Sequence, residues 1–207
     1  MVSLLTLLVA LVADQFAAAP FLVQVQPLIR DQLGGVAWTT LKAECNAIWL
    51  REGVAIQWDG NLDVWRTPDL LLPTVFDEWE LQQHDRTQTA IGSTLFAGRN
   101  RKILISVSRA RELAVAVRAP HADALERDVA VGRLLGRVLA HEIGHVLLST
   151  TGHAERGLMR QFLDAGEASA PSDENFQLSE SDRARLALRF PLRIARPGRL
   201  QADIQGP

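Results

Sequence analysis

One stretch constrains this chain more than any other: ALERDVAVGRLLGRVLAHEIGHVLL, residues 124–148. Apolar side chains recur in it at helical spacing, and it is far too long for a strand, so a helix is predicted from about Ala124 to Leu148. Gly132, Gly136, Ala140 and Gly144 add a second regularity, a small residue at every fourth position. In an apolar twenty-mer such a stripe would suggest packing within a membrane. Arg127, Asp128, Arg133 and Arg137 exclude a lipid setting, and the stripe instead lets a buried helix lie close to a sheet or a neighbouring helix.

The elements around this helix are short and mixed. FLVQVQPLI alternates from Phe21 and reads as a strand, and VAIQW (54–58) alternates again before the Asp59-Gly60 turn signal. Between them, Leu41, Cys45, Ile48 and Trp49 recur at helical spacing, giving a helix over about 36–51 that Gly53 stops. From Arg66 to Gln88 no pattern holds, and Pro68 and Pro73 interrupt it, so a long loop with at most one short strand is expected. Ala90–Phe96 and Ile103–Val107 read as two strands joined by AGRNRK, followed by a helix around Arg109–Val117 that ends before Pro120. A loop is expected over about 164–175, then a last amphipathic helix in LSESDRARLALRF with Ser179 or Ser181 as its N-cap.

A length of 207 residues suits one domain, and 47% hydrophobic with 22% charged residues is ordinary globular composition. Net charge is -2 and lysine is confined to Lys42 and Lys102, so nucleic acid is not an expected partner. The apolar run from Leu4 to Ala13 has the length of a signal-peptide core and is too short to span a bilayer. It has no Lys or Arg before it, Pro20 disfavours cleavage after Ala19, and cleavage after Ala13 or Ala18 is open. The alternative is an apolar helix kept in the mature fold. The expected organisation is a signal peptide over 1–19, a single domain over 20–192 and a loose tail over 193–207, in a secreted or periplasmic protein. Cys45 is alone, so no intramolecular disulfide forms, and its helical neighbours make it a small buried residue rather than a nucleophile.

The chemistry lies in HEIGHVLLSTTGHAERGLM, residues 141–159. His141 and His145 stand four apart on a helix, so their rings project from one face and can grip a single ion. Glu142 points beside the ion, where it can take a proton from bound water. A catalytic zinc needs a third protein ligand and an open fourth position, whereupon the water's pKa falls to about 7. His153 is the natural third ligand, because STTG (149–152) ends the helix and Gly152 can take the positive φ that reverses the chain. Glu155, Asp164, Glu167, Glu174 and Glu180 are the rival carboxylates. His84 and His121 read as surface loop residues. The competing explanation of the whole stretch is a packed helix with incidental histidines.

This stretch resembles the metzincin zinc endopeptidases, particularly the matrixin-like ones, whose signature is H-E-x-x-H-x-x-G-x-x-H followed by a Met-turn. His141, Glu142 and His145 match it, and HAERGLM (153–159) is similar to the matrixin segment that leads to A-L-M. Met159, fourteen residues after His145, would be the Met-turn residue. The signature's glycine falls on Leu148 and its third histidine on Thr151, whereas this chain has Gly152 and His153. The resemblance implies a zincin-like α+β fold: a small mixed twisted sheet packed on two long helices, the active-site helix ending in HEIGH, and a short C-terminal helix. It also implies Zn2+ held by His141, His145 and His153, Glu142 as general base, and a peptide or protein substrate. An edge strand above the cleft would pair with that substrate, and either 90–96 or 103–107 fits. No tyrosine is present, so no phenolic group can act as ligand or oxyanion stabiliser.

The expectation is therefore a monomeric zinc metalloendopeptidase without a stable membrane span. The alternatives are a zinc-binding module of the same fold without turnover, and a different HExxH hydrolase with a carboxylate or cysteine ligand. The E-C-N around Cys45 does not resemble the cysteine segment of the deformylases.

Overall fold

The computed structural model describes residues 20–29, 33–58, 69–76, 81, 90–97, 100–117, 122–172 and 174–191. The signal-peptide run, the 193–207 tail, His84 and His121 lie outside them. The architecture is mixed α+β, a five-stranded sheet with helices. In chain order the elements are β1 (Phe21–Ile29), α1 (Gly35–Leu50), β2 (Val54–Trp58), β3 (Leu70–Phe76), β4 (Gly92–Ala97), β5 (Asn100–Ile105), α2 (Val107–Val117), α3 (Ala124–Leu148), α4 (Ala165–Ser169) and α5 (Glu180–Arg189). The strands lie in the order β2-β1-β3-β5-β4, all parallel except β4, which runs antiparallel to β5 and forms an edge.

β3 is a short strand of the kind allowed for between Arg66 and Gln88, and its central place in the sheet is what the prolines did not suggest. Its seven residues LLLPTVF sit in the middle of the sheet, within a stretch that the prolines made look like loop. A proline in a central strand removes a ladder donor. Pro73 pairs with Gln26 of β1, but the β5 ladder begins only at Thr74, so one side of Pro73 has no strand to serve. Pro27 of β1 is accommodated likewise: it faces Thr74 of β3, whereas the β2 ladder stops at Val25. Each proline thus has a ladder partner on one side only: Pro73 toward β1 and Pro27 toward β3.

Alternation divides the sheet's faces. Val23, Val25, Val54, Leu72, Phe76, Ile103 and Ile105 join the main core with the helices, while Val75, Leu104 and Leu81 form a smaller cluster that Leu95 packs against. β5 ends at Ile105, two residues earlier than expected, because the Ser106 hydroxyl accepts from Arg109 N and starts α2 at Val107. α4 is a single turn in the stretch expected as loop, capped by Asp164, which accepts from Glu167 N. Ser179, not Ser181, caps α5.

α3 is started by a reciprocal capping box between Asp123 and Glu126 and, apart from half-buried Arg133, is buried from Ala130 to its end. The small-residue stripe meets α1 rather than the sheet. A Cβ on Gly132 would stand 2.6 Å from Ala37 O, and one on Gly136 would stand 2.7 Å from Leu41 O, so glycine allows backbone-to-backbone approach. Trp49, fully buried, donates its indole N–H to Ala140 O at 3.2 Å and ties α1 to the turn that carries His141. Arg137 is also fully buried. Its charge is met by Glu44 of α1 at 3.2 Å, it donates to Glu167 O at 2.9 Å, and it lies over the Phe176 ring. Buried charge persists only when paired and hydrogen-bonded in this way. The pairing fastens the 160–176 segment to the helix, since Arg160 bridges Glu167 at 2.8 Å and covers Phe176 as well. Among the described residues, no helix is long and apolar enough to cross a membrane.

Candidate metal centre

The last turns of α3 place His141, Glu142 and His145 in the floor of a cleft of about 430 Å³. The helix ends at Ser149, a non-glycine residue in the left-handed region with φ 49°, whose N–H returns to His145 O and Val146 O. Gly152 was expected to make this reversal, and it does not: the positive-φ residues among those described are Ser149, Gly53 and Gly157. The reversal comes three residues earlier because Thr150, the next residue, turns its carbonyl back onto the His145 ring and its N–H onto His145 O.

From there the chain returns beneath the histidines. Segment 153–160 is closed by a bridge between Ala154 and Arg160, with Ala154 N donating to Met159 O at 2.7 Å. Gly157 turns it, at φ 78° and against Gln177 O, and Leu158 N donates to that same carbonyl at 2.8 Å. Met159 is 1% exposed and its sulfur abuts Gly144, between the two helical histidines in sequence.

The imidazoles are oriented from behind. His141 Nδ1 lies 2.7 Å from Leu158 O, and His145 Nδ1 lies 2.8 Å from Thr150 O. A carbonyl only accepts, so each Nδ1 carries the proton and each neutral ring is left with a bare lone pair on Nε2. Those two Nε2 atoms face one another at 3.0 Å. Between two neutral rings in this tautomer that is not a hydrogen bond but two lone pairs in opposition, an arrangement that a shared cation relieves. His153 completes the group: its ring stacks at 18° on His141 and stands edge-on to His145, and the ligand atoms of all three lie within 4.8 Å of one another. Four-coordinate zinc with bonds of about 2.0–2.1 Å spaces its nitrogens by roughly 3.4 Å, so this donor set fits such an ion with a modest closing of the exposed His153. Among the described residues it is the single group of three that could hold a metal. Glu155, Asp164, Glu167, Glu174 and Glu180 are not in it; Asp164 caps α4 and Glu167 pairs with Arg160.

Burial sets the protonation states. It pushes the His141 pKa down to about 4, against the opposing pull of the Leu158 carbonyl and with help from the neighbouring His145 and His153. Burial lowers that of His145 too. Both rings are thus neutral at neutral pH, the form that ligates. Glu142 is pushed up to about 7 by burial, which a hydrogen bond from Thr94 partly offsets. A dication alongside would draw that value down again.

Several contributors escaped the sequence reading. Thr94 and Gly92 of β4 contact Glu142, the carbonyls of Thr150 and Leu158 orient the rings, and Phe162, 80% exposed, stands at the cleft rim. The Gly92-x-Thr94-x-Phe96 alternation marks one face of a strand, but not which helix that face meets. Cys45 is buried as expected, and its thiol pKa is raised by burial, which makes it inert. No protein-family model, curated protein or solved structure matches this chain.

Proposed function

We propose that this protein is a zinc-dependent metallopeptidase of zincin type, with zinc held by His141, His145 and His153 and with Glu142 as general base. One observation carries the reading: three imidazoles converge, the two helical ones with their outer nitrogens committed to backbone carbonyls, beside a buried carboxylate, on the wall of an open cleft. Such outer partners fix ring orientation and raise ligand basicity in metal sites. Met159 packed against Gly144 of the site helix supports the resemblance to the matrixin-like enzymes.

When bound, zinc supplies Lewis acidity, lowering the pKa of water and polarising a carbonyl. The chain's own groups do the rest. Glu142 takes a proton from the attacking water and delivers it to the amine nitrogen as the C–N bond breaks. The substrate is an extended peptide. β4 is an edge strand and borders the cleft, so it can take up a peptide by strand addition, whereas β5 is flanked by β3 and β4 and cannot. Ile91, Leu113, Val138, Leu163 and Phe162 give the cleft apolar walls, which suits an apolar side chain beside the scissile bond.

The test is zinc per chain for wild type and His153→Ala, with cleavage of a mixed peptide library by wild type and Glu142→Gln. One zinc in wild type, its loss in His153→Ala and cleavage abolished in a folded, zinc-loaded Glu142→Gln protein are expected. Zinc without cleavage in wild type makes the protein a binding module, and no zinc in either refutes the metal centre.

A further inference from the structure

Glu142 is held from both sides by the edge strand. Gly92 and Thr94, two apart on β4, turn the same face to α3. Thr94 Oγ1 lies 2.7 Å from Glu142 Oε2 and 3.0 Å from the Glu142 main-chain oxygen. On the other side, a Cβ added to Gly92 would stand 2.9 Å from Oε1 and 3.0 Å from Cγ of Glu142, and 2.6 Å from Val138 Cγ1. One carboxylate oxygen is therefore bonded, and the other rests against bare backbone.

We propose that Gly92 and Thr94 form a cradle that fixes the Glu142 carboxylate in one orientation for proton transfer, with Thr94 a positioning residue. The inference rests on the metallopeptidase reading and adds to it residues outside the HExxH stretch. The Thr94 hydroxyl suits both halves of the transfer. While Glu142 is a carboxylate, the hydroxyl donates its single proton to Oε2. If the proton taken from water settles on Oε2, that oxygen donates to Thr94 Oγ1, and the hydroxyl turns its own proton to the Glu142 carbonyl. The side chain keeps its place in either case, and no polar atom of the pair loses its partner. The same strand would receive the substrate, so the base and the peptide backbone are registered by one element.

The experiment compares Thr94→Val, which keeps the shape and removes the hydroxyl, with Thr94→Ser, which restores it. Gly92→Ala presses on the carboxylate from the opposite side. Peptide cleavage, zinc content and crystal structures of the zinc-loaded proteins are measured together. Misplacing a catalytic group by about an ångström costs on the order of a hundredfold. Thr94→Val and Gly92→Ala should therefore lose about ten- to a hundredfold in kcat with KM within about twofold and full zinc, and Thr94→Ser should stay within about threefold of wild type. Unchanged kcat in Thr94→Val overturns the proposal while leaving the metallopeptidase reading intact. Equal losses in Val and Ser variants overturn it too, since the methyl group would then be what matters. If zinc-loaded wild type cleaves nothing, the peptidase reading fails and the crystal structures decide: a Glu142 carboxylate displaced in Thr94→Val but not in Thr94→Ser upholds the cradle, and one that does not move refutes it.

Discussion

The contact between Gly144 and Met159 predicts a reversal of sign. Gly144 lies mid-helix, where alanine is favoured over glycine by up to about 1 kcal/mol. Here, however, an added Cβ meets the Met159 sulfur at overlapping distance, with Trp49 behind it at 3.6 Å and Met159 itself 1% exposed. Overpacking of that kind costs about 1–3 kcal/mol, so Gly144→Ala should be net destabilising by about 1 kcal/mol. Met159→Ala alone opens a cavity and should cost about 2–5 kcal/mol. In that background a methyl added at position 144 has room, only the helical preference of alanine remains, and Gly144→Ala should stabilise by about 1 kcal/mol. The coupling is then about 2 kcal/mol, well above what non-contacting residues show. Urea unfolding of the four metal-free proteins at pH 8 measures it, provided the m-values agree. Zinc affinity should fall in Gly144→Ala as well, roughly tenfold, because Leu158 O, which orients His141, is the neighbour of the residue displaced. If Gly144→Ala has the same sign and size in both backgrounds, Met159 does not pack against the site helix as described, and the account of how segment 153–160 supports the histidines fails with it.

Other consequences follow from single groups. Ser149→Gly should stabilise the protein by about 1 kcal/mol with zinc content unchanged, since a left-handed non-glycine residue costs roughly 1–2 kcal/mol; a lower midpoint in urea would contradict it. Glu142 is raised from 4.5 to about 7 in the folded, metal-free protein, so its protonated form is the one folding favours. Its contribution is complete below about pH 4.5 and lost as pH rises through 7, and the neutral Glu142→Gln should exceed wild type in stability by about 1–3 kcal/mol at pH 8 in EDTA, with no difference near pH 4.5. An equal gap at both pH values would refute a carboxylate raised by burial against only a partial offset from Thr94. The His141 shift has the opposite sign: lowered to about 4, it contributes fully above pH 6.5 and is lost as pH falls toward 4, so in the folded, metal-free protein an NMR titration should show its ring protonating only near pH 4; a midpoint near 6.5 would contradict its burial. Phe162→Ala removes an exposed side chain from the cleft rim and should raise KM with the melting temperature unchanged; an unchanged KM would place Phe162 outside substrate contact.

What was legible in the chain and what was not divide along physical lines. The long helix announced itself because twenty-five residues hold many turns of one pattern, and its arginines ruled out a lipid setting. The histidine pair was legible because an i, i+4 spacing on a helix fixes geometry without any tertiary information. The central place of β3 was not: prolines weigh against a central strand, and only the stagger of β1, β2 and β5 makes Pro27 and Pro73 harmless. α4 is too short to show a period, although Asp164 and Glu167 carried its cap. Nothing local marked Arg137 as fully buried, because its partners, Glu44 and the Glu167 carbonyl, arrive from distant parts of the chain. Thr94 and Gly92 belong to the same class, since nothing local says that a strand face will meet a carboxylate on another element.

The segment from His145 to Met159 shows how a local motif and its tertiary setting depend on each other. In the matrixin-like pattern the glycine would stand at 148 and the histidine at 151, yet here α3 continues through Leu148 and turns at Ser149. The loop after Ser149 would leave His145 without an outer partner unless it folded back, and it does so through Thr150, whose carbonyl accepts a hydrogen bond from His145 Nδ1–H. The loop onward to Met159 is shorter by the same two residues, and the tight turn at Gly157 with the Ala154–Met159 bond takes up the difference. Leu158 O thereby still reaches His141. Within the fourteen residues from His145 to Met159, the turn at Ser149 and the fold-back through Gly157 are thus arranged so that both helical imidazoles have a carbonyl behind them.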